Sequence, residues 1–184
     1  MRDDALAAIR TISRRAKALL AIISAGLVGG AIYLVWKVSA DLPGFTGEIK
    51  AWLGTEAPAI TLSGRAIAGL AALGIINAAI AAAAIWTVWR LFDRLEKGRV
   101  FTRQSGELLR LAGALALTGA ISTVVSRTLA TLIATYDNPP GEKILLIGFG
   151  SSEGMLLLLS ALLYAMGHVI ALASDIEREN RSFV

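Results

Sequence analysis

The chain has 184 residues, of which 55% are hydrophobic and only 17% are charged, with a formal net charge of +4. A soluble domain has roughly 25% charged residues. The apolar excess here is concentrated in blocks of about 20 residues, a length that crosses a hydrocarbon core of about 30 Å. The absence of cysteine excludes disulfides, thiolate catalysis and cysteine metal sites. We therefore expect an integral membrane protein whose positive charge meets anionic lipid, with no direct binding of nucleic acid.

Residues 1–17 come before the first apolar block. Apolar side chains recur there at helical spacing, and basic residues supply charges that would face lipid headgroups. The basic residues are Arg10, Arg14, Arg15 and Lys17. This pattern predicts an amphipathic helix lying in the membrane interface. The alternative is a short basic lead-in that only sets orientation.

Four apolar segments predict membrane-spanning helices. They cover about residues 19–38, 66–92, 108–135 and 153–173. Val38-Ser39-Ala40 has the small residues of a signal-peptidase site, but the apolar run before it is longer than usual, so we expect no cleavage.

Two stripes of small residues predict close contacts between spans. Gly26 and Gly30 form one in the first span, and Gly74, Ala78 and Ala82 form the other in the second.

The positions of the basic residues predict the topology. Thirteen of the 18 lysines and arginines lie in the N-terminal segment, the 90–110 loop or the C-terminal tail. Lys50, Arg65 and Lys143 lie in the loops at 39–65 and 136–152, Lys37 lies just before the first of these loops, and Arg127 is the remaining one. Because basic loops stay in the cytoplasm, both termini and the 90–110 hairpin should be cytoplasmic. The predicted fold is all-α, a single four-helix bundle over residues 1–184 in the bacterial inner membrane.

The connecting segments carry local signals of their own. In the hairpin, Gly98 suits the left-handed position after a helix, and Thr102 suits the N-cap of the next one. Residues 47–53 predict a short surface helix carrying Trp52 into the interface. Residues 144–149 predict either a small strand or a segment on the bilayer, and Ser151 or Ser152 is expected to cap the last span.

Polar residues within the spans are the candidate sites. Asn77 should face another helix that satisfies its amide. Arg127 would either bind an anionic ligand or serve a structural role, paired with Glu153 or Asp137. His168 would be either a proton sensor or a hydrogen-bonded packing residue.

Nothing in the sequence predicts catalysis. His168 is the only histidine, and its distance from Ser160 along one helix, about 12 Å, excludes a nucleophile–base hydrogen bond. Phosphate-loop and metalloprotease motifs are absent. We therefore expect no enzymatic activity, no metal and no cofactor.

Two stretches resemble a family of small four-span bacterial inner-membrane proteins known only as a domain of unknown function. The first is Leu95-Glu-Lys-Gly-Arg-Val-Phe-Thr102, followed by Leu108 and Leu109. The second runs from Gly167 through Ile176-Glu-Arg-Glu-Asn-Arg-Ser-Phe-Val184. The resemblance implies a helix-turn-helix regulator of the Xre/Cro type as partner, because members are often encoded beside one.

The function predicted from these features is regulatory or sensory, acting through the hairpin and the tail. The partner surface would comprise Arg90, Arg94, Gly98, Phe101, Thr102, Glu179, Asn180 and Phe183; alternatively, these are solvated ends that only enforce topology. Two other functions stay open: an oligomeric transporter or channel lined by Asn77, Arg127 and the polar face of the third span, and an accessory subunit of a larger membrane complex.

Overall fold

The computed structural model describes residues 2–53, 63–98, 102–139, 143, 145 and 147–182, without the side chains of 2–8, 50, 52–53, 177 and 180–182. Five helices account for the regular structure in these ranges. They are α1 (Arg2–Ala40), α2 (Leu42–Leu53), α3 (Gly64–Glu96), α4 (Arg103–Ala134) and α5 (Ser151–Ser182). Four of them contain segments long and apolar enough to cross a membrane, namely Ile9–Ala40, Gly64–Glu96, Arg103–Ala134 and Ser151–Ile176. The all-α, four-span prediction is confirmed.

The long helices pack in a row. α4 packs against both α3 and α5, and α1 packs against α3. The N-terminal end of α1, the turn between α3 and α4, and the C-terminal end of α5 lie together at one end, which we call the hairpin end. The opposite end, with α2 and the segment before α5, is the loop end. In this open arrangement much apolar surface faces outward: Ile22, Ile32 and Val35 of α1 are 68%, 65% and 68% exposed. Lipid or another protein has to cover such surface.

α1 and α2 differ from the predicted elements. Residues 1–17 were expected to form a helix separate from the first span, yet α1 is continuous from Arg2 to Ala40. No proline or glycine interrupts residues 2–25, so the backbone hydrogen bonds continue through the boundary. α2 begins at Leu42, five residues before the predicted surface helix, and the side chain of Trp52 lies outside the described residues.

The closest helix contact joins α4 to α5 through glycines. A Cβ added at Gly106 would lie 2.7 Å from the carbonyl oxygen of Gly167. One added at Gly113 would lie 2.9 Å from both the carbonyl oxygen of Ser160 and the backbone nitrogen of Tyr164. Buried positions recur every seven residues in line with these contacts: Gly106, Gly113 and Ala120 on α4, and Glu153, Ser160 and Gly167 on α5. Side chains at such spacing stay on one face along two helices that supercoil slightly.

The two predicted small-residue stripes do not make this kind of contact. A Cβ at Gly26, Gly30 or Gly74 would have no neighbour within 4 Å. Among the described residues, the predictions are therefore wrong for these three glycines, and the contacts of Ala78 and Ala82 stay a prediction. The predictions were based on small residues four apart. The glycines of α4 at the close α4–α5 contact are seven apart, so this pattern did not find them.

The helix ends follow the predicted local chemistry with one exception. Gly98 has φ of 75°, the left-handed conformation that follows a helix end. The Thr102 hydroxyl accepts a hydrogen bond from the backbone N–H of Ser105 at 3.2 Å. At the start of α5, however, neither Ser151 nor Ser152 is the cap. The Glu153 carboxylate reaches back to the backbone N–H of Gly150 at 2.8 Å, which is half of a capping box.

The segment before α5 has no regular structure over residues 147–150, and the described residue 145 is also irregular. The strand predicted at 144–149 is therefore not formed in these residues. Residues 140–142, 144 and 146 lie outside the described ranges.

Replacing Gly113 by Ala should destabilise the protein by about 1–3 kcal/mol, because the added methyl group would overlap the backbone of α5. Gly26→Ala is the matched control, since it makes the same change within a helix without a neighbouring atom. Thermal unfolding in detergent, followed by circular dichroism, checks this. A Gly113→Ala protein as stable as Gly26→Ala would contradict the close α4–α5 contact.

Candidate functional site

A network of hydrogen bonds around Asn77 joins α3 to α4 inside the membrane-spanning region. The amide of Asn77 donates to the Ser126 hydroxyl at 2.7 Å and to the carbonyl oxygen of Leu73 at 2.9 Å. Its own oxygen accepts from the Ser122 hydroxyl at 3.1 Å. Asn77 therefore faces another helix, where its amide is satisfied.

Arg127 lies one residue after Ser126, on the side of the segment that precedes α5. A Cβ on Gly148 would lie 3.4 Å from an Arg127 guanidinium nitrogen, so the side chain passes directly over this segment. The Glu153 carboxylate, which is only 4% exposed, accepts from the backbone N–H of Gly150 in the same segment. The structure thus places Arg127 and Glu153 against the same segment, residues 148–150, and their ion pair stays a prediction. Asp137, the other predicted partner, is exposed just beyond α4.

The depth of Arg127 in the membrane follows from the length of α4. Its 32 residues span about 48 Å, against a hydrocarbon core of about 30 Å, so a centred helix extends about 9 Å past each boundary. Arg127 lies seven residues before Ala134, about 10 Å from the helix end. It therefore lies close to the boundary, and its long stem lets the guanidinium reach water or headgroups.

A cavity of about 290 Å³ opens beside these residues. Apolar side chains of α2 and α3, including Phe45, Ile49 and Leu70, form most of its wall, while Asn77 and Arg127 supply polar groups. We call Asn77, Ser122, Ser126, Arg127 and Glu153, with this cavity, the polar centre. An apolar cavity with a few convergent polar groups is the usual form of a small-molecule site.

The other hydroxyls of α4 bond to the backbone of their own helix. Thr118, Thr123, Thr128 and Thr131 each donate to the carbonyl oxygen four residues earlier, at 2.7–3.1 Å. This local bonding satisfies hydroxyls inside a membrane helix without any ligand. The polar composition of the third span is thereby explained apart from the polar centre.

A second charged cluster lies at the hairpin end and joins α1 to α3. The Lys17 ammonium group lies 2.6 Å from a Glu96 carboxylate oxygen and 3.4 Å from one of Asp93, and 5.7 Å from the centre of the Trp89 ring. Arg14 approaches Glu96 at 4.0 Å. Lys17 was expected to face lipid headgroups, and it pairs with these carboxylates instead. Two carboxylates one helical turn apart, at positions 93 and 96, were the signal that could have predicted this contact.

At the loop end, α2 is held to α1 by an ion pair. Lys37 lies 2.8 Å from Glu48 and 3.4 Å from Asp41, and the Tyr33 hydroxyl donates to Glu48 at 3.1 Å. The hydrogen bond from Lys37, aided by that from Tyr33, holds the pKa of the Glu48 carboxyl below its usual value.

The predicted partner surface is partly described. Arg90 is exposed on α3, and Arg94 donates to the side-chain oxygen of Gln104 across the hairpin. Glu179 is exposed on the last turns of α5, which continues to Ser182. Phe101, Phe183 and the side chain of Asn180 lie outside the described residues.

His168 is exposed on α5, and its ring stacks on that of Tyr164 with centroids 6.2 Å apart. It therefore lies on the outer surface rather than inside the helix row. Within the described residues, no three histidine, aspartate or glutamate side chains group as a metal site would require.

Asn77→Ala should destabilise the protein by about 0.6–1.7 kcal/mol, since it removes the hydrogen bonds that join α3 to α4 within the membrane. A double-mutant cycle with Ser126→Ala in detergent measures the coupling. Strictly additive effects of the two substitutions would contradict a direct bond between them.

Acid should release α2 from α1. Because the pKa of Glu48 is lowered in the folded state, its contribution to stability is fully present above its ordinary value of 4.5. That contribution is lost as the pH falls through the lower folded-state pKa. A fluorophore on a single cysteine at Thr46 should report this transition below pH 4.5, whereas Glu48→Gln should already show the released signal at neutral pH.

Comparison with known proteins identifies the chain at the level of its family. Residues 16–182 match the family described as "Protein of unknown function (DUF2975)". No curated protein and no solved structure matches the chain. The match covers α1 from residue 16 onward, the other long helices, the polar centre and the hairpin, so the chain belongs to this family of unknown function.

Proposed function

We propose that this protein is a non-catalytic regulatory or sensory protein of the bacterial inner membrane. Its input would be the polar centre at the loop end, and its output the 90–110 hairpin and the C-terminal tail in the cytoplasm. The observation that carries the proposal is the continuity of α4. This one helix bears Ser126 and Arg127 near one end and the hairpin at the other.

The glycine contacts support this assignment because they would make α4 and α5 move together as a rigid pair. Backbone-to-backbone contact at Gly106 and Gly113 leaves little room for one helix to slide against the other. A ligand that displaces Arg127 from Glu153 would tilt or shift the pair as a body. The movement would reach the hairpin and the tail, which are the two ends of that pair.

The partner at the output surface is a protein, and the family resemblance implies a helix-turn-helix regulator. Exposed Arg90 on α3 and exposed Glu179 on α5 offer charges of both signs. Transport through the chain is less well supported, because the hydroxyls of α4 bond to their own backbone and leave few groups to accompany a solute.

Arg90→Ala and Glu179→Ala should each lower the transcriptional response that depends on this protein by about tenfold, the effect of losing one charge-assisted contact. The response is the set of transcripts that changes on deletion of the gene and returns on complementation. Arg65→Ala is the matched control, since it removes an exposed charge from the loop end. Immunoblots of membrane fractions check that all variants insert equally.

A full response from both variants would overturn the proposal.

The transport alternative can be tested separately by thiol labelling, because the chain has no native cysteine. Single cysteines at positions 119, 123, 127 and 131 would all react with a water-soluble thiol reagent if a continuous aqueous path followed α4. Labelling that stops at both membrane interfaces contradicts such a path.

A further inference from the structure

A cationic and aromatic cluster lies on the outer surface of α4 and α5, at the hairpin end and away from the polar centre. The guanidinium of Arg110 lies over the ring of Tyr164, 5.7 Å from its centroid, and Tyr164 stacks on His168. Tyr164 is 48% exposed, and His168 is exposed as well. The cluster thus presents a guanidinium, a phenol and an imidazole to the membrane.

The arrangement depends on Gly167, whose lack of a side chain leaves space for Arg110. A Cβ added at Gly167 would lie 2.7 Å from Cγ of Arg110, so the stem of Arg110 crosses α5 directly over Gly167. Any side chain at that position would push Arg110 away from Tyr164. Its position over the ring is therefore part of the packed α4–α5 contact, and only the end of the side chain remains to meet a ligand.

An open groove of about 500 Å³ runs from this cluster toward the middle of the membrane. Its floor includes Ala114, Ala161 and Ala165, and Leu117 and Leu157 line its far part. From Tyr164 to Leu157 it extends about 10 Å along α5. The small side chains leave a channel between the two helices that is apolar along nearly all of its length.

The depth of the cluster matches a lipid headgroup boundary. Arg110 lies seven residues after Arg103, about 10 Å from the start of α4. A centred hydrocarbon core begins about 9 Å from that end. The cation therefore lies at the boundary, and the apolar groove leads inward from it, in the same order as the headgroup and acyl chain of a membrane lipid.

We propose that this surface binds one anionic phospholipid of the leaflet at the hairpin end. The phosphate would accept hydrogen bonds from Arg110 and from the Tyr164 hydroxyl, and one acyl chain would lie in the groove over Ala161. Charge complementarity selects an anionic lipid, since basic pockets between helices recognise such headgroups. The one nearby carboxylate on α4, Glu107, is paired with Arg103 at 3.3 Å. The site does not depend on the proposed regulatory function.

Native mass spectrometry of the full chain in mild detergent tests this site by titration with phosphatidylglycerol and with phosphatidylcholine of the same acyl chains. The unmodified protein should bind the first phosphatidylglycerol at least about fivefold more tightly, the effect of one arginine near a headgroup. Arg110→Gln should abolish that preference. Arg15→Gln, which removes an exposed arginine from α1 at the same end of the protein, should retain it.

A second pair of variants tests the groove without touching the cation. Ala161→Phe fills the channel and should lower the affinity for phosphatidylglycerol about tenfold, while Ala82→Phe, at an exposed position on α3, should not. The proposal is overturned if the unmodified protein does not prefer phosphatidylglycerol. It is also overturned if Arg110→Gln and Arg15→Gln behave alike, or if Ala161→Phe binds as the unmodified protein does.

Discussion

The backbone contact between α4 and α5 is the constraint on which the other features depend. In a bilayer the hydrophobic effect does not drive helices together, so their association relies on close packing and polar contacts. Gly106, Gly113 and Gly167 supply the packing by letting main-chain atoms meet. That contact fixes the register of α5 against α4, and hence places Glu153 and Arg127 at the same end. It also sets the path of Arg110 across Gly167 at the other end.

The remaining helices are attached mainly by polar groups at defined depths. α3 is joined to α4 by the hydrogen bonds of Asn77 with Ser122 and Ser126. These bonds satisfy polar groups that lipid could not satisfy. α1 is joined to α3 at the hairpin end by Lys17 with Asp93 and Glu96. Because most of the outward face of α1 is bare, its position depends on few contacts, and α1 is the helix freest to move or to meet another protein.

The polar centre and the cluster of Arg110, Tyr164 and His168 have a similar arrangement at opposite boundaries of the membrane. In each, an arginine of α4 lies about 10 Å from the helix end, where its charge can reach the interface. Arg127 faces Glu153 and a cavity among helices, whereas Arg110 faces an aromatic ring and a groove open to lipid. One arginine is thus suited to a change within the protein and the other to recognition of the surrounding membrane.

The sequence by itself determined the helical class and the number of membrane spans, because a span must be apolar over about 20 residues whatever its neighbours are. It also determined the hairpin turn at Gly98 and Thr102, since helix caps depend on residues within one turn. Only the tertiary structure decided which small residues touch, that Lys17 pairs with α3, and that Arg110, Tyr164 and His168 share a surface. These contacts join residues far apart in the chain, and they depend on the rotation and register of packed helices, which hydropathy does not encode.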